Sequence, residues 1–214
     1  MMKKLFIYIL LIATSSTVAQ TQLPLEAYPN GGNPDGIYFK DVNDILDAYT
    51  GTWQWTEGNK ELTFYLYKDE EVTFVNPIRG TYQRDVVFGY YVYTEGGNVL
   101  IDTKPDLLAD IDNRVSIDRG GVGMLTTTNG YDPETLPSFY FVDYSRRNCS
   151  NGVEHPISGD PGLWVFLNAT TARVALITGG ILYTTCDTTV LHASFPINQG
   201  ITINKISNTA PPLD

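Results

Sequence analysis

Apolar and polar residues alternate along much of this chain, with a period of two. Trp53 and Trp55 alternate with Thr52, Gln54 and Thr56, so both indoles share one face of a strand. The turn residues Glu57-Gly58-Asn59-Lys60 follow. Leu62, Phe64 and Leu66 then face one way and Thr63, Tyr65 and Tyr67 the other. Lys68–Glu71 reads as another turn, Val72–Val75 as a third strand, and Asn76–Arg84, with Pro77 and Gly80, as irregular. Asp85–Glu95 is apolar on both faces. That pattern predicts a strand buried twice, or one lining a cavity on one side.

A period of 3.6 occurs ahead of the first strand. Val42, Ile45, Leu46 and Tyr49 are spaced i, i+3, i+4, i+7, Asp41 can cap them and Gly51 can end them. This predicts a short amphipathic helix. After Gly96-Gly97-Asn98, strands are expected at Val99–Asp102, Asn113–Asp118, Ser138–Tyr144, Leu163–Leu167, Ala172–Ile177, Ile181–Cys186, Val190–Phe195 and Ile201–Ile206. Pro105–Ile111 reads as a single helical turn and Ser145–Pro161 as a long polar loop. Many short strands between turn signals predict an all-β fold: an antiparallel meander barrel with a short N-terminal helix, or alternatively a β-sandwich.

The flanks differ in composition. Met1-Met2-Lys3-Lys4, the apolar Leu5–Thr14 and the small residues of Thr17-Val18-Ala19 predict a signal peptide over residues 1–20. The apolar run is shorter than the roughly 20 residues a membrane span needs, so no integral span is expected. Residues 21–40 carry Pro24, Pro29, Pro34 and Gly31-Gly32 and read as an extended N-terminal arm. Residues 41–207 are read as a single β-barrel domain, and 208–214, with Pro211-Pro212, as a loose tail. Export places the chain in the periplasm, at the cell surface or outside the cell.

Charge and cysteines narrow the picture. The net charge of −10 becomes more negative still without Lys3 and Lys4. Such a surface repels phosphate backbones, so nucleic acid is excluded as a partner. Cys149 and Cys186 form an even pair in an exported chain, which favours a disulfide over two buried thiols.

Gly51-Thr52-Trp53, after a short helix and at the first strand, resembles the opening of lipocalins and their calycin relatives. The resemblance implies that Trp53 closes the barrel floor against a basic side chain from a late strand. Lys205 is the first choice for it and Arg173 the second. Asp143-Tyr144 resembles a second lipocalin motif. The runs Tyr38–Asp41, Gly51–Trp55, Asn59–Thr63 and Asp85–Tyr91 are together similar to a family of exported Bacteroidetes proteins with no assigned activity. That resemblance implies export and a β-rich domain.

The search for chemistry is largely negative. His155 and His192 lack a second histidine at i+2 or i+4, and no G-x-S-x-G elbow is present. Asp106, Asp110, Asp112 and Asn113 crowd oxygen ligands, but not in an EF-hand spacing. Gly120–Gly123 lacks the G-K-[ST] of a phosphate loop. Glu134, Asp143, Glu154 and Asp160 are nominal partners for a carboxylate hydrolase, whose geometry sequence does not fix. No catalytic residue, metal or cofactor is therefore assigned.

Aromatics on predicted strands remain. Tyr65, Tyr67, Phe88, Tyr90, Tyr91, Tyr93, Phe139 and Phe141 could line a pocket for a small apolar or amphipathic ligand. A side-chain-filled barrel acting as an interaction or structural module is the alternative, and a polymer hydrolase the second alternative. Oligomeric state is not readable from the chain.

Overall fold

The computed structural model describes residues 20–27, 33–111, 122–125, 138–150, 153–176 and 200–213. The expected signal peptide lies outside them, apart from Gln20. So do the strands expected at Asn113–Asp118, Ile181–Cys186 and Val190–Phe195, together with Glu134, Cys186, His192 and the first two residues of Gly120–Gly123.

The chain is all-β. Its strands are β1 (Thr21–Pro24), β2 (Ile37–Lys40), β3 (Gly51–Glu57), β4 (Lys60–Asn76), β5 (Gly80–Glu95), β6 (Asn98–Asp102), β7 (Val122–Leu125), β8 (Ser138–Ser150), β9 (Val153–Asn168), β10 (Thr171–Leu176) and β11 (Ile201–Ser207). They form one sheet, in the order β1-β2-β5-β4-β3-β11-β10-β9-β8-β7, with β6 on β5 and a further pairing of β7 with β5. The sheet is mixed rather than purely antiparallel, because β1–β2 and β2–β5 run parallel. Within the expected arm, β2 thus lies along β5 and β1 along β2. Pro24 is the last residue of β1, and Pro29, Gly31 and Gly32 lie outside the described residues.

Several expected boundaries shift. The charged cluster at Lys68–Glu71 does not turn the chain: β4 runs straight through it, with a register shift between Asp69 and Val72. Glu70 and Glu71 stand against Asp85 alone, a bulge of two residues against one. Glu71 has a φ of 56°, and its amide donates to Asp85 Oδ1 at 3.1 Å. The buried carboxylate thus satisfies an amide that the ladder leaves out.

The expected loop Ser145–Pro161 is instead a hairpin, β8 against β9, with Ser150 opposite Val153. The predicted helix over Val42–Tyr49 is a shorter 3₁₀ turn, Ile45–Ala48, and Val42 points out to solvent. Leu46 and Tyr49 still go inward. The turn expected at Pro105–Ile111 is the two-turn helix α1 (Lys104–Ile111), packed on β5.

The core lies on one face of this sheet. Trp53, Leu62, Phe64, Val87, Tyr91, Trp164, Ala172, Val174 and Ile203 all have 0 % of their surface exposed. Trp164 packs edge-on against Trp53 (5.2 Å) and Phe64 (6.1 Å), and Trp53 Nε1 donates to Tyr49 O at 2.8 Å. At Gly89 the strands leave no room for a side chain: a Cβ there would sit 2.0 Å from Tyr65 O.

Candidate functional site

Strict alternation along β4 and β5 sorts the aromatic residues onto two faces. Leu62, Phe64 and Leu66 of β4, with Tyr91 and Tyr93 of β5, join the core. Tyr65, Tyr67, Phe88 and Tyr90 stand on the opposite face. There Tyr65 stacks on Tyr90 at 4.7 Å and 25°, while Tyr67 packs on Phe88 at 5.6 Å and on Tyr90 at 6.4 Å. The expected ligand lining therefore does not surround one cavity. Four of its members form an outer strip and two sit in the core. Phe139 and Phe141 are placed by register only, opposite Met124 and Val122 on β7.

The outer strip has a neighbour. Residues 208–213, which follow β11, cross the outside of β3 and β4 toward α1. Thr52 Oγ1 donates to Thr209 O (3.0 Å), Tyr67 Oη to Pro211 O (2.6 Å) and Lys104 Nζ to Pro212 O (3.4 Å). The tail is therefore not loose. Burial raises the phenol pKa of Tyr67 well above its ordinary value, with neighbouring Tyr90 adding to the rise.

Trp53 and Lys205, paired in the sequence reading, also meet here. Lys205 lies opposite Trp53 across β11 and β3, its Nζ is 5.3 Å from the Trp53 ring centroid, and it donates to Ala48 O at 3.2 Å. Burial lowers the pKa of this ammonium, partly opposed by Asp47. Arg173, the second choice, is exposed.

A polar constellation missed by sequence reasoning sits where β2, β4 and β5 meet. Asp85, 1 % exposed, accepts from Tyr38 Oη (2.6 Å) and from the amides of Asp41 (2.8 Å) and Glu71. Asp41 accepts from the amides of Ile45 (2.9 Å) and Leu46 (3.0 Å), which starts the 3₁₀ turn. Carboxylate oxygens of Asp41, Asp44 and Asp47 lie within 4.8 Å of one another, a grouping that could hold a metal ion. Lys68 Nζ stands 3.0 Å from Asp41, 3.7 Å from Asp44 and 2.8 Å from Asp47. The chain thus supplies its own cation to this cluster. Burial pulls the Lys68 pKa down, but its hydrogen bonds to Asp47 and Asp41 outweigh that and raise it overall. The signal was the i, i+3, i+6 spacing of the three aspartates.

Asp143, Glu154 and Asp160 fall on the β8–β9 hairpin, opposite Ile157, Cys149 and Phe141 respectively. His155 pairs with Asn148 in the same ladder rather than sitting in a loop. No helix among the described residues is long and apolar enough to cross a membrane.

A family model described as "Family of unknown function (DUF6705)" matches residues 2–212. The chain belongs to this family. The match spans the 3₁₀ turn, the Gly51-Thr52-Trp53 entry, both faces of β4–β5 and the tail through Pro212, so the DUF6705 unit includes the outer strip and nearly all of its cover. No curated protein and no solved structure matches the chain.

Proposed function

We propose that this DUF6705 protein is an exported, lipocalin-like β-barrel whose interior is filled and which acts through its outer surface as a non-catalytic interaction module. The strand pairings support the barrel. The neighbours β5, β4, β3, β11, β10, β9, β8 and β7 are each antiparallel to the next, and β7 pairs again with β5 through Val87↔Met124, Phe88↔Gly123 and Gly89↔Val122. Trp53 with Lys205 and Ala48 supports a floor at one end.

The observation that carries the filled interior is the core face itself. Tyr91 and Tyr93, the two inward members of the expected lining, are 0 % and 1 % exposed, as are Leu62, Phe64, Leu66 and Trp164. Side chains around a solvent-filled cup would retain accessible surface. At this packing an apolar guest has to displace side chains, which costs stability.

The test is direct, because all three tryptophans lie on the core face. Titrating the protein with a long-chain fatty acid and with an environment-sensitive apolar dye should leave tryptophan emission unchanged. A saturable, one-to-one change in that emission would show an internal pocket and overturn the filled-interior reading.

A further inference from the structure

The tail that covers the outer strip bends at Asn208 and Thr209, where the Thr209 amide donates back to Ser207 Oγ at 3.1 Å. Beyond the bend, Ala210 and Leu213 are half-buried, while Pro211 and Pro212 are exposed. Pro211 and Pro212 fix φ at about −65° and hold the residue before each of them extended, which favours polyproline II, a helix with about three residues per turn and no internal hydrogen bonds. Its carbonyls need outside donors. Three are supplied here, from three separate elements: Thr52 on β3, Tyr67 on β4 and Lys104 at the start of α1. Tyr67 is held upright by Phe88 and Tyr90.

Such donors read the backbone conformation and not the side chains, and aromatic-lined grooves that bind proline-rich segments use the same physics. We propose that the groove formed by Thr52, Tyr67, Phe88, Tyr90 and Lys104 is a docking site for an extended, proline-containing segment of a partner protein. The segment Thr209–Leu213 occupies it in cis.

The tail itself argues for this occupant. It shows the spacing the groove accepts, a small or aliphatic residue at two positions three apart with prolines between them. It also sets a threshold, since a tethered occupant competes at high effective concentration and only a well-matched partner displaces it. The proposal rests on the reading that the molecule works through its outside.

The test uses the full chain with its tail lifted by Ala210→Asp and Leu213→Asp, which place charges at the two inward positions. The probe is a fluorescein-labelled peptide, end-capped, with the sequence Ser207–Leu213. Fluorescence anisotropy should show saturable binding to the lifted variant, tighter by about tenfold than to the unaltered chain, where the tail competes. Adding Tyr67→Phe, or replacing both prolines of the peptide by glycine, should weaken binding by about fivefold, the loss expected for one hydrogen bond or for the pre-set conformation. Equal binding to lifted and unaltered chains, no binding to either, or a lifted variant that dimerises without taking up peptide would each overturn the proposal.

If the lifted variant does not fold, the unaltered chain labelled with 4-fluoroproline provides the readout. Excess peptide must move the ¹⁹F signals of Pro211 and Pro212 to those of a free tail, and signals that stay in place at saturating peptide refute the groove. Neither result bears on the filled interior, which tryptophan emission reads separately.

Discussion

The two faces of the β4–β5 hairpin are built from nearly the same residues and come to opposite ends. On one, Phe64, Leu66, Tyr91 and Tyr93 disappear into a cluster with Trp53 and Trp164. On the other, Tyr65, Tyr67 and Phe88 remain partly open, and Tyr67 meets a six-residue strap at the Pro211 carbonyl. The inner aromatics act through volume, since each fills space that nothing else can fill. The outer ones act through their edges, in ring stacking and a hydroxyl. Aromatic content alone therefore says little about ligand binding, and the face decides the role.

The comparison breaks most sharply at Trp53. Trp53→Ala should cost about 3–5 kcal/mol in chemical denaturation, the usual range for a large aromatic removed from a packed core. A loss below about 1 kcal/mol would mean that the core face tolerates a void and that the contrast is false. Asp85→Ala comes next, at about 3 kcal/mol, because it strands the Tyr38 hydroxyl and the Asp41 and Glu71 amides in a buried position. Asp85→Asn should recover part of this loss, and a full recovery would show that the charge contributes nothing.

Lys68→Met should cost about 1–2 kcal/mol, discounted for the partial exposure of the ammonium. Its pH dependence sharpens the test. The folded pKa lies above the unfolded value near 10.5, so the contribution is complete below that value and is lost only as pH rises through the higher folded one. The stability gap to the unaltered protein should therefore stay constant from about pH 7 to about pH 10. A gap that closes already near pH 8 would assign the ammonium a different environment. Lys205 should behave in the opposite sense. Its folded pKa is lowered, so the unfolded chain binds more protons there and the cost of the buried charge shrinks as pH rises through that value. Tyr65→Ala is the smallest effect, about 1 kcal/mol for one cross-strand stack on the outer face. A loss as large as that of Trp53→Ala would erase the difference between the faces.

Some of this architecture was legible in the residues. The alternation in Gly51–Glu57 and Ile201–Ser207 has one polar and one apolar face, so their strands were readable from period alone. Lys68–Glu71 misleads for a physical reason. Four charged residues read as a solvated turn, yet here a bulge, a buried Asp85 and three aspartates around Lys68 absorb them within one strand. Ser145–Pro161 was misread although Asn151-Gly152, the strongest two-residue hairpin signal, stands at its middle. The polar flanks hid it, because Ser145–Ser150 carries no apolar alternation that would mark a strand.

By itself, the sequence determined that this protein is all-β and where many of its described strands lie, since alternation follows from local stereochemistry; the pairing of Trp53 with Lys205 rested on the lipocalin resemblance alone. The sequence could not say which face of Asp85–Glu95 would be the core, because both faces are apolar. That was decided by what arrives from far along the chain onto its partner strand β4: Trp164 from β9 against Phe64 on one face, and Pro211 of the tail against Tyr67 on the other. Burial is a property of the neighbours, and the neighbours of a β-strand are set by pairings distant in sequence.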